Sequence, residues 1–182
     1  HMDPSGGGVC MGESDPGTEA RNCIIRDCKA YNGGGVIWGS AVNCLIINNI
    51  GMYGGGAYLT NLRNCTVSKN SATFFGGGVL QCTNVFNSIS YANTAPSGGN
   101  HRDSVLSYSC ASPLPAGIGN VAGDPLFMNS ISNDFRLSEG SPCRNSGSNG
   151  FVNTLTDLAG RVRIWNGTVD MGAYEYQQIV TC

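Results

Sequence analysis

The chain has 182 residues, which suits one domain with a substantial core. It contains 27 glycines, 41% hydrophobic residues and only 12% charged residues, so it is neither a disordered polyelectrolyte nor a leucine-rich helical bundle. A formal net charge of −2 argues against a nucleic-acid partner, which needs a basic surface. No apolar run approaches the roughly 20 residues of a membrane-spanning helix, so we expect no membrane insertion.

The N-terminal end of the chain begins with His1-Met2, which is typical of a cloning scar. Residues 1–5 are therefore interpreted as scar and lead-in. The first glycine triplet begins at Gly6, without a preceding cap. We expect either that the natural protein continues upstream, or that this first coil associates end to end with another molecule.

A repeated block dominates residues 6–110. Its first marker is a glycine triplet followed by a small apolar residue, starting at Gly6, Gly33, Gly54 and Gly76. The intervals between these starts are 27, 21 and 22 residues. The second marker follows each triplet, at Asn22-Cys23, Asn43-Cys44, Asn64-Cys65 and, in substituted form, Asn87-Ser88. Two markers in phase at this period indicate stacked repeats.

Each repeat contains short apolar stretches bounded by glycine or asparagine, the pattern of short strands. Three such strands and three bends fill 21–23 residues, which is one coil of a parallel β-helix. Successive coils lie about 4.8 Å apart, so equivalent residues stack in columns. The sequence predicts an all-β solenoid with three interior columns. They are Val9, Val36, Ala57 and Val79; Ala20, Ala41, Leu62 and Val85; and Ile25, Ile46, Val67 and Ser90.

Asparagine and cysteine are predicted to form further structural columns. Asparagine tolerates the left-handed backbone of a bend, and stacked amides hydrogen-bond to one another. The asparagine columns are Asn22, Asn43, Asn64 and Asn87, and then Asn49, Asn70 and Asn93, with Cys28 at the corresponding place in the first repeat. Cys23, Cys44 and Cys65 are expected to stack as buried apolar side chains. A metal or redox role is disfavoured because no charged or imidazole partner accompanies them.

Residues that alternate with the first interior column point outward in this scheme. Ile37, Tyr58 and Leu80 then form an apolar ridge, with Cys10 in the first repeat. Aromatic residues gather around the glycine triplets, with Tyr31, Tyr53 and Phe75 before them and Trp38 after one. Such rings either stack on sugars or pack against their neighbours at the bends. Residues 94–101 interrupt the period and are a second place for recognition. The candidate binding residues are Ile37, Trp38, Tyr58, Leu80 and His101.

Residues 111–182 lose the glycine period and are predicted to form an irregular C-terminal coil and capping segment. An uncovered β-helix end exposes unpaired backbone groups, so solenoids need an atypical unit to cover it. We therefore expect this segment to lie over the last coil. Cys110 and Cys143 lie beyond the four marked repeat units, where a disulfide between them would tie the segment to the solenoid.

The repeat pattern resembles right-handed parallel β-helices of the pectate-lyase-like superfamily, and its glycine blocks are similar to the repeats of bacterial polymorphic outer membrane proteins. Motifs of the C-terminal segment resemble the end of secreted bacterial β-helix proteins. They are Ser107-Tyr108-Ser109-Cys110, Gly123-Asp124-Pro125-Leu126-Phe127, Asp134-Phe135-Arg136-Leu137, Gly140-Ser141-Pro142-Cys143, Asp157-Leu158-Ala159-Gly160-Arg161 and Asp170-Met171-Gly172-Ala173-Tyr174-Glu175. The resemblance implies a right-handed, single-stranded parallel β-helix from a secreted or cell-surface bacterial protein.

Polysaccharide lyases of that superfamily use carboxylates that hold Ca²⁺ and an arginine or lysine base. In the four repeat units marked by glycine triplets the acids all fall in the first unit, so no carboxylate column spans neighbouring coils. The tail acids are Asp124, Asp134, Glu139, Asp157, Asp170 and Glu175. We interpret them as loop stabilisers rather than as the facing carboxylates of a glycosidase. No catalytic or metal-binding residue is assigned, and Ca²⁺ enters only under a lyase alternative.

The sequence favours an extracellular module with a structural role or a role in binding a carbohydrate or host surface. The alternative is a fragment or relative of a polysaccharide lyase or glycoside hydrolase, with a groove along one face of the β-helix. A fold does not decide between them, because function resides in the site that the fold carries. Whether the chain is an enzyme stays open, with the balance against catalysis.

Overall fold

The computed structural model describes residues 7–12 and 17–178. The lead-in with Gly6, residues 13–16, and residues 179–182 with Cys182 lie outside the described residues. The described chain is a parallel β-solenoid of about four turns, which confirms the predicted all-β fold. Its only helical segment is a 3₁₀ turn, Asn149–Phe151. No helix within the described ranges is long and apolar enough to cross a membrane.

Three parallel sheets of five strands each run along the solenoid. Sheet I consists of Val9–Cys10, Val36–Ile37, Ala57–Tyr58, Val79–Leu80 and His101–Arg102. Sheet II consists of Glu19–Arg21, Ser40–Val42, Asn61–Arg63, Val85–Phe86 and Leu106–Ser107. Sheet III consists of Ile24–Arg26, Leu45–Ile47, Thr66–Ser68, Ile89–Tyr91 and Cys110–Ala111. A fourth sheet has two strands, Ile50–Tyr53 and Ser71–Phe75. Each of them follows a strand of sheet III in the same coil.

The strand registers confirm the three predicted interior columns. Val36 pairs with Ala57 and then Val79 in sheet I, and all three side chains are fully buried. The equivalent columns of sheets II and III pair Ala41 with Leu62, and Ile46 with Val67. Ser90 continues the third column, and its hydroxyl donates to the carbonyl of Asn100 at 2.6 Å. The polar residue is therefore satisfied inside an otherwise apolar core.

Left-handed backbone turns the chain between sheets. Asn22, Asn43, Asn64 and Asn87 have φ values of 54°, 55°, 50° and 49°. Asparagine adopts this region more readily than most residues, as the sequence predicts. The glycine corner before sheet I is also left-handed, with a φ of 57° at Gly33, and in addition it has no room for a side chain: a Cβ at Gly33 would lie 2.7 Å from the Cβ of Ile37. The chain therefore folds back tightly against the outward row of sheet I.

Residues 94–101 continue the solenoid rather than interrupt it, so that prediction is wrong. Ser97 pairs with Phe75. The backbone amides of the glycine triplet 76–78 donate to the carbonyls of residues 97–99. The strand His101–Arg102 then extends sheet I by pairing with Val79–Leu80. A degenerate block, Gly98-Gly99-Asn100-His101, thus replaces the glycine triplet, and it escapes a search for three glycines.

Residues 112–121 cover the last strands of the three sheets. Within this stretch, Asn120 donates from Nδ2 to the carbonyl of Leu106 at 2.8 Å. The amides of Tyr108 and Ala111 donate to the carbonyls of Ile118 and Val121. The end of the solenoid is therefore closed by a short part of the predicted capping segment.

The longer part of that segment, residues 122–178, hereafter the tail, lies along the side of the solenoid, which differs from the expectation. Its antiparallel hairpin, Phe127–Asn129 and Asp134–Leu137, places Phe135 against Leu45 and Ile47 on the outer face of sheet III. The physical reason is that this outer row of sheet III is apolar and needs cover. The tail therefore forms a second layer over sheet III.

Candidate functional site

The predicted ridge on sheet I is a continuous row but not an exposed one. Ile37, Tyr58 and Leu80 pair in register, with Cys10 before them and Arg102 after them. Ile37 is 1% exposed and Leu80 is 4% exposed, while Tyr58 is partly exposed. The prediction of an exposed ridge fails because the glycine corners lie against this row. Ile37 and Leu80 cannot contact a ligand at the surface.

The other two predicted binding residues lie apart from each other. Trp38 is partly exposed at the corner between sheets I and II, with a φ of 60° that is uncommon for a bulky residue. His101 extends the first interior column, in register with Val79. Its Nε2 lies 2.9 Å from the carbonyl oxygen of Pro113. The imidazole therefore contacts the residues that close the solenoid.

An exposed aromatic column lies on the fourth sheet and on the equivalent stretch of the preceding coil, which bridges to the strand Ile50–Tyr53. Its members are Tyr31, Tyr53, Phe74 and Phe75. The Tyr53 ring lies centrally, 5.8 Å from Tyr31, 5.4 Å from Phe74 and 5.9 Å from Phe75, measured between centroids. Tyr31 is 45% exposed, Phe74 41% and Phe75 38%. Periodicity identifies the other three, whereas Phe74 lies at a register shift in its strand and has no equivalent in the repeat.

Arg102 extends the aromatic column by one coil. Its guanidinium carbon lies 4.1 Å above the centroid of the Phe75 ring. Nη1 donates to Oγ of Ser97 at 2.5 Å, and Nε donates to a carboxylate oxygen of Asp103 at 3.3 Å. These contacts fix a planar cation beside the exposed rings. Sequence reasoning missed Arg102 because it treated the preceding residues as a break in the repeat.

The second asparagine column is a continuous hydrogen-bonded ladder. Nδ2 of Asn49 donates to Oδ1 of Asn70 at 2.9 Å, and Nδ2 of Asn70 donates to Oδ1 of Asn93 at 3.0 Å. The backbone amide of Asn70 also donates to Oδ1 of Asn93, at 2.9 Å. Cys28 begins the column by donating its amide to Oδ1 of Asn49. These buried amides hold successive coils together.

The first asparagine column serves as the line along which the tail attaches. Nδ2 of Asn43 donates to Oδ1 of Asn22 at 2.7 Å and to the carbonyl of Thr156 at 3.2 Å. Asn87 instead donates to the carbonyl of Ser148 and accepts that residue's amide, at 2.9 and 2.8 Å. Asn64, between them, is fully buried in the same column. The column is thus only partly the amide ladder that the sequence predicts.

The thiol column lies inside the solenoid. Cys44 and Cys65 are fully buried, and Cys23 is partly exposed. Cys44 donates to the carbonyl of Val42 at 3.2 Å, and Cys65 donates to that of Arg63 at 3.3 Å. Burial raises the pKa of the Cys65 thiol well above its ordinary value. Burial and hydrogen bonds to the backbone are typical of structural cysteines rather than of reactive ones.

The buried acids of the tail bind its own backbone. Asp157 accepts three backbone amides, and Asp170 and Glu175 accept two each, at 2.6–3.1 Å. Arg163, 1% exposed, donates to the carbonyls of Asp170 and Gly172. Burial and the charge of Asp170 raise the pKa of Glu175 to about 7. These hydrogen bonds join the loops of the tail to one another. They do not place two carboxylates facing each other across a cleft.

Within residues 7–12 and 17–178, no three His, Cys, Asp or Glu side chains converge as a metal site requires. Comparisons of the chain with protein-family models, curated proteins and solved structures gave no match. The aromatic column with Arg102 combines exposed rings with a fixed cation on one surface.

Proposed function

We propose that this chain is an extracellular module that binds a carbohydrate along the aromatic column. The observation that carries the proposal is the contiguous exposure of Tyr31, Phe74 and Phe75 around the Tyr53 ring. Aromatic rings provide large apolar faces that pack well against other flat apolar surfaces. A sugar ring offers such a surface on one side and hydroxyls at its edge.

The spacing of the aromatic residues along the repeat favours a linear polysaccharide over a single small sugar as the ligand. Tyr31, Tyr53 and Phe75 come from three successive coils, and Arg102 from a fourth. A linear ligand lying parallel to the solenoid axis would contact several coils at once, so modest contacts would add along its length. The interplanar angles of 31–53° mean that each ring offers its own face rather than one flat platform.

Polar contacts would come from the ends of the same column. The Arg102 guanidinium is held by Phe75 and Ser97, so it loses little freedom when it donates to ligand oxygens. The tyrosine rings of Tyr31 and Tyr53 carry hydroxyls that both donate and accept. This combination of apolar faces and fixed donors suits a hydroxyl-rich ligand.

The extracellular, bacterial assignment belongs to the proposal and rests on the resemblance of the repeats to right-handed pectate-lyase-like β-helices and bacterial surface proteins. The binding role is preferred to lyase or hydrolase activity because the buried tail carboxylates are occupied by backbone amides. Ca²⁺ would be required only under the lyase alternative.

A glycan array followed by titration of the selected polysaccharide tests the proposal. We expect Tyr53→Ala to weaken binding about 5- to 10-fold, because it removes the central ring of the column. Trp165→Ala is the matched control, since Trp165 is a 41% exposed ring on the tail. The proposal is wrong if no glycan binds, or if the two variants bind equally. Ultraviolet absorbance from unsaturated sugar products, in an assay with Ca²⁺, would establish the lyase alternative instead.

A further inference from the structure

We propose that Cys110 and Cys143 are the site of a disulfide that fastens the tail to the solenoid. Cys110 lies on the last strand of sheet III, and Cys143 lies on the tail that covers this sheet. Both are free, fully buried thiols in the structure, and their side chains pack in one apolar cluster with Ile89, Leu137 and Met171. The bond would therefore join the two layers of the molecule.

The backbone on both sides of this contact is fixed. The amide of Cys110 donates to the carbonyl of Ser88 at 2.8 Å, within the sheet. The amide of Cys143 donates to Oγ of Ser141 at 3.1 Å, and its carbonyl accepts the amide of Met171 at 2.9 Å. Since disulfides tolerate only a narrow range of geometry, two anchored cysteines within one packed cluster need little rearrangement to bond.

The stacked thiols of the solenoid are less suited to oxidation. Cys44 and Cys65 lie fully buried in the interior core that the three sheets enclose. An oxidant reaches them only if the sheets separate. Cys110 and Cys143 lie between the solenoid and the tail, so lifting the tail is sufficient. Cys143 is also the only cysteine of the tail among the described residues.

The chemistry is thiol–disulfide exchange with a small disulfide such as glutathione disulfide. One cysteine, as its thiolate, attacks the oxidant and releases one glutathione thiol, which leaves a mixed disulfide. The second thiolate then displaces the other glutathione. Two S–H bonds are lost, one protein S–S bond forms, and two electrons reduce the oxidant to two thiols. Because both sulfurs are buried, we expect exchange while the tail is undocked, and slow reduction after it docks.

Peptide mapping tests the proposal. The reduced protein is incubated with glutathione disulfide, denatured in N-ethylmaleimide and digested with trypsin. Cleavage after Arg102, Arg136 and Arg144 places Cys110 on peptide 103–136 and Cys143 on peptide 137–144. We expect these two peptides to appear as one linked species that reductant separates. Full alkylation of both peptides, or a dominant link between Cys44 and Cys65, would overturn the proposal.

A stability measurement supplies a second readout. We expect oxidised wild-type protein to melt about 5 °C or more above the reduced protein. Cys143→Ser should abolish both the linked peptide and this difference, whereas Cys82→Ser, a buried cysteine in a coil, should retain both. An equal oxidation-dependent shift in Cys143→Ser would show that another pair is responsible. If Cys143→Ser does not fold, the mapping of wild-type protein still decides.

Discussion

At the scale of single residues, two kinds of asparagine do different work. Those at the corners adopt left-handed backbone, which few residues do at low cost. Those in the ladder use their side chains to bind backbone groups of neighbouring coils. In Asn70, Oδ1 accepts the backbone amide of Asn49, and Nδ2 donates to the carbonyl of Ile46. Replacing Asn70 therefore leaves buried groups without partners.

We expect Asn70→Ala to lower the free energy of unfolding by about 3 kcal/mol, because a buried donor or acceptor without a partner costs about 1–3 kcal/mol. Urea denaturation measures the change. The control is Asn84→Ala, which removes an exposed amide that donates to Asn61 at 2.9 Å, and should change stability by less than about 0.5 kcal/mol. Equal losses in the two variants would mean that the ladder is not a special source of stability.

Periodicity predicts which residues of a coil face inward, because strand alternation and register follow from the repeat alone. It does not predict what covers an outward residue. Ile37 alternates correctly with Val36, yet it is buried by a glycine corner that only the folded chain reveals. Phe74 likewise joins the aromatic column through a local register shift, which has no signature in the repeat.

At the scale of elements, the position of the tail hairpin could not be predicted from the sequence, because the tail has no repeat period. The glycine period ends before the tail begins, but its loss does not tell which face of the solenoid the tail covers. The useful signal is in sheet III, whose residues are apolar on both faces: Leu45, Ile46 and Ile47 are consecutive and all buried. A strand that is apolar on both sides needs a layer on both sides.

Phe135 is the anchor of this second layer, since it is 1% exposed and its ring meets that of Phe127 edge-on at 5.1 Å. We expect Phe135→Ala to destabilise the protein by about 3–5 kcal/mol, as for other buried phenylalanines. Hydrogen exchange at residues 45–47 should rise in this variant. Ile131→Ala, at a position 91% exposed on the same hairpin, should alter neither quantity, and a similar effect there would contradict the assignment.

At the scale of the whole molecule, the buried acids make stability depend on pH. Glu175 has an ordinary pKa of 4.5 and a folded pKa of about 7. The folded protein therefore retains a proton that the unfolded chain releases over this interval. Stability from this group is complete below pH 4.5 and falls as pH rises to 7, by up to about 3 kcal/mol. The pKa of Asp170 is also raised, so this carboxyl likewise lowers stability as the pH rises above its ordinary pKa of 3.8.

Urea midpoints at pH 5 and pH 7.5 test this dependence. Wild-type protein should be more stable at pH 5, and Glu175→Gln should show a much smaller difference between the two conditions. Glu139→Gln, at an exposed position of the tail, should keep the wild-type difference. Stability that rises between these pH values, or an unchanged difference in Glu175→Gln, would refute the assignment to Glu175.

The attachment of the tail also has a consequence for the order of folding. Coils of the solenoid contact neighbours only 21–27 residues away, so they can form one after another as the chain leaves the ribosome. The tail instead reaches back 107 residues to Thr66 and 113 residues to Asn43. Contacts of such separation form late. During synthesis, the apolar outer face of sheet III is thus exposed until residues 122–178 emerge, and partly made chains that stop before this point are expected to be the most prone to aggregation.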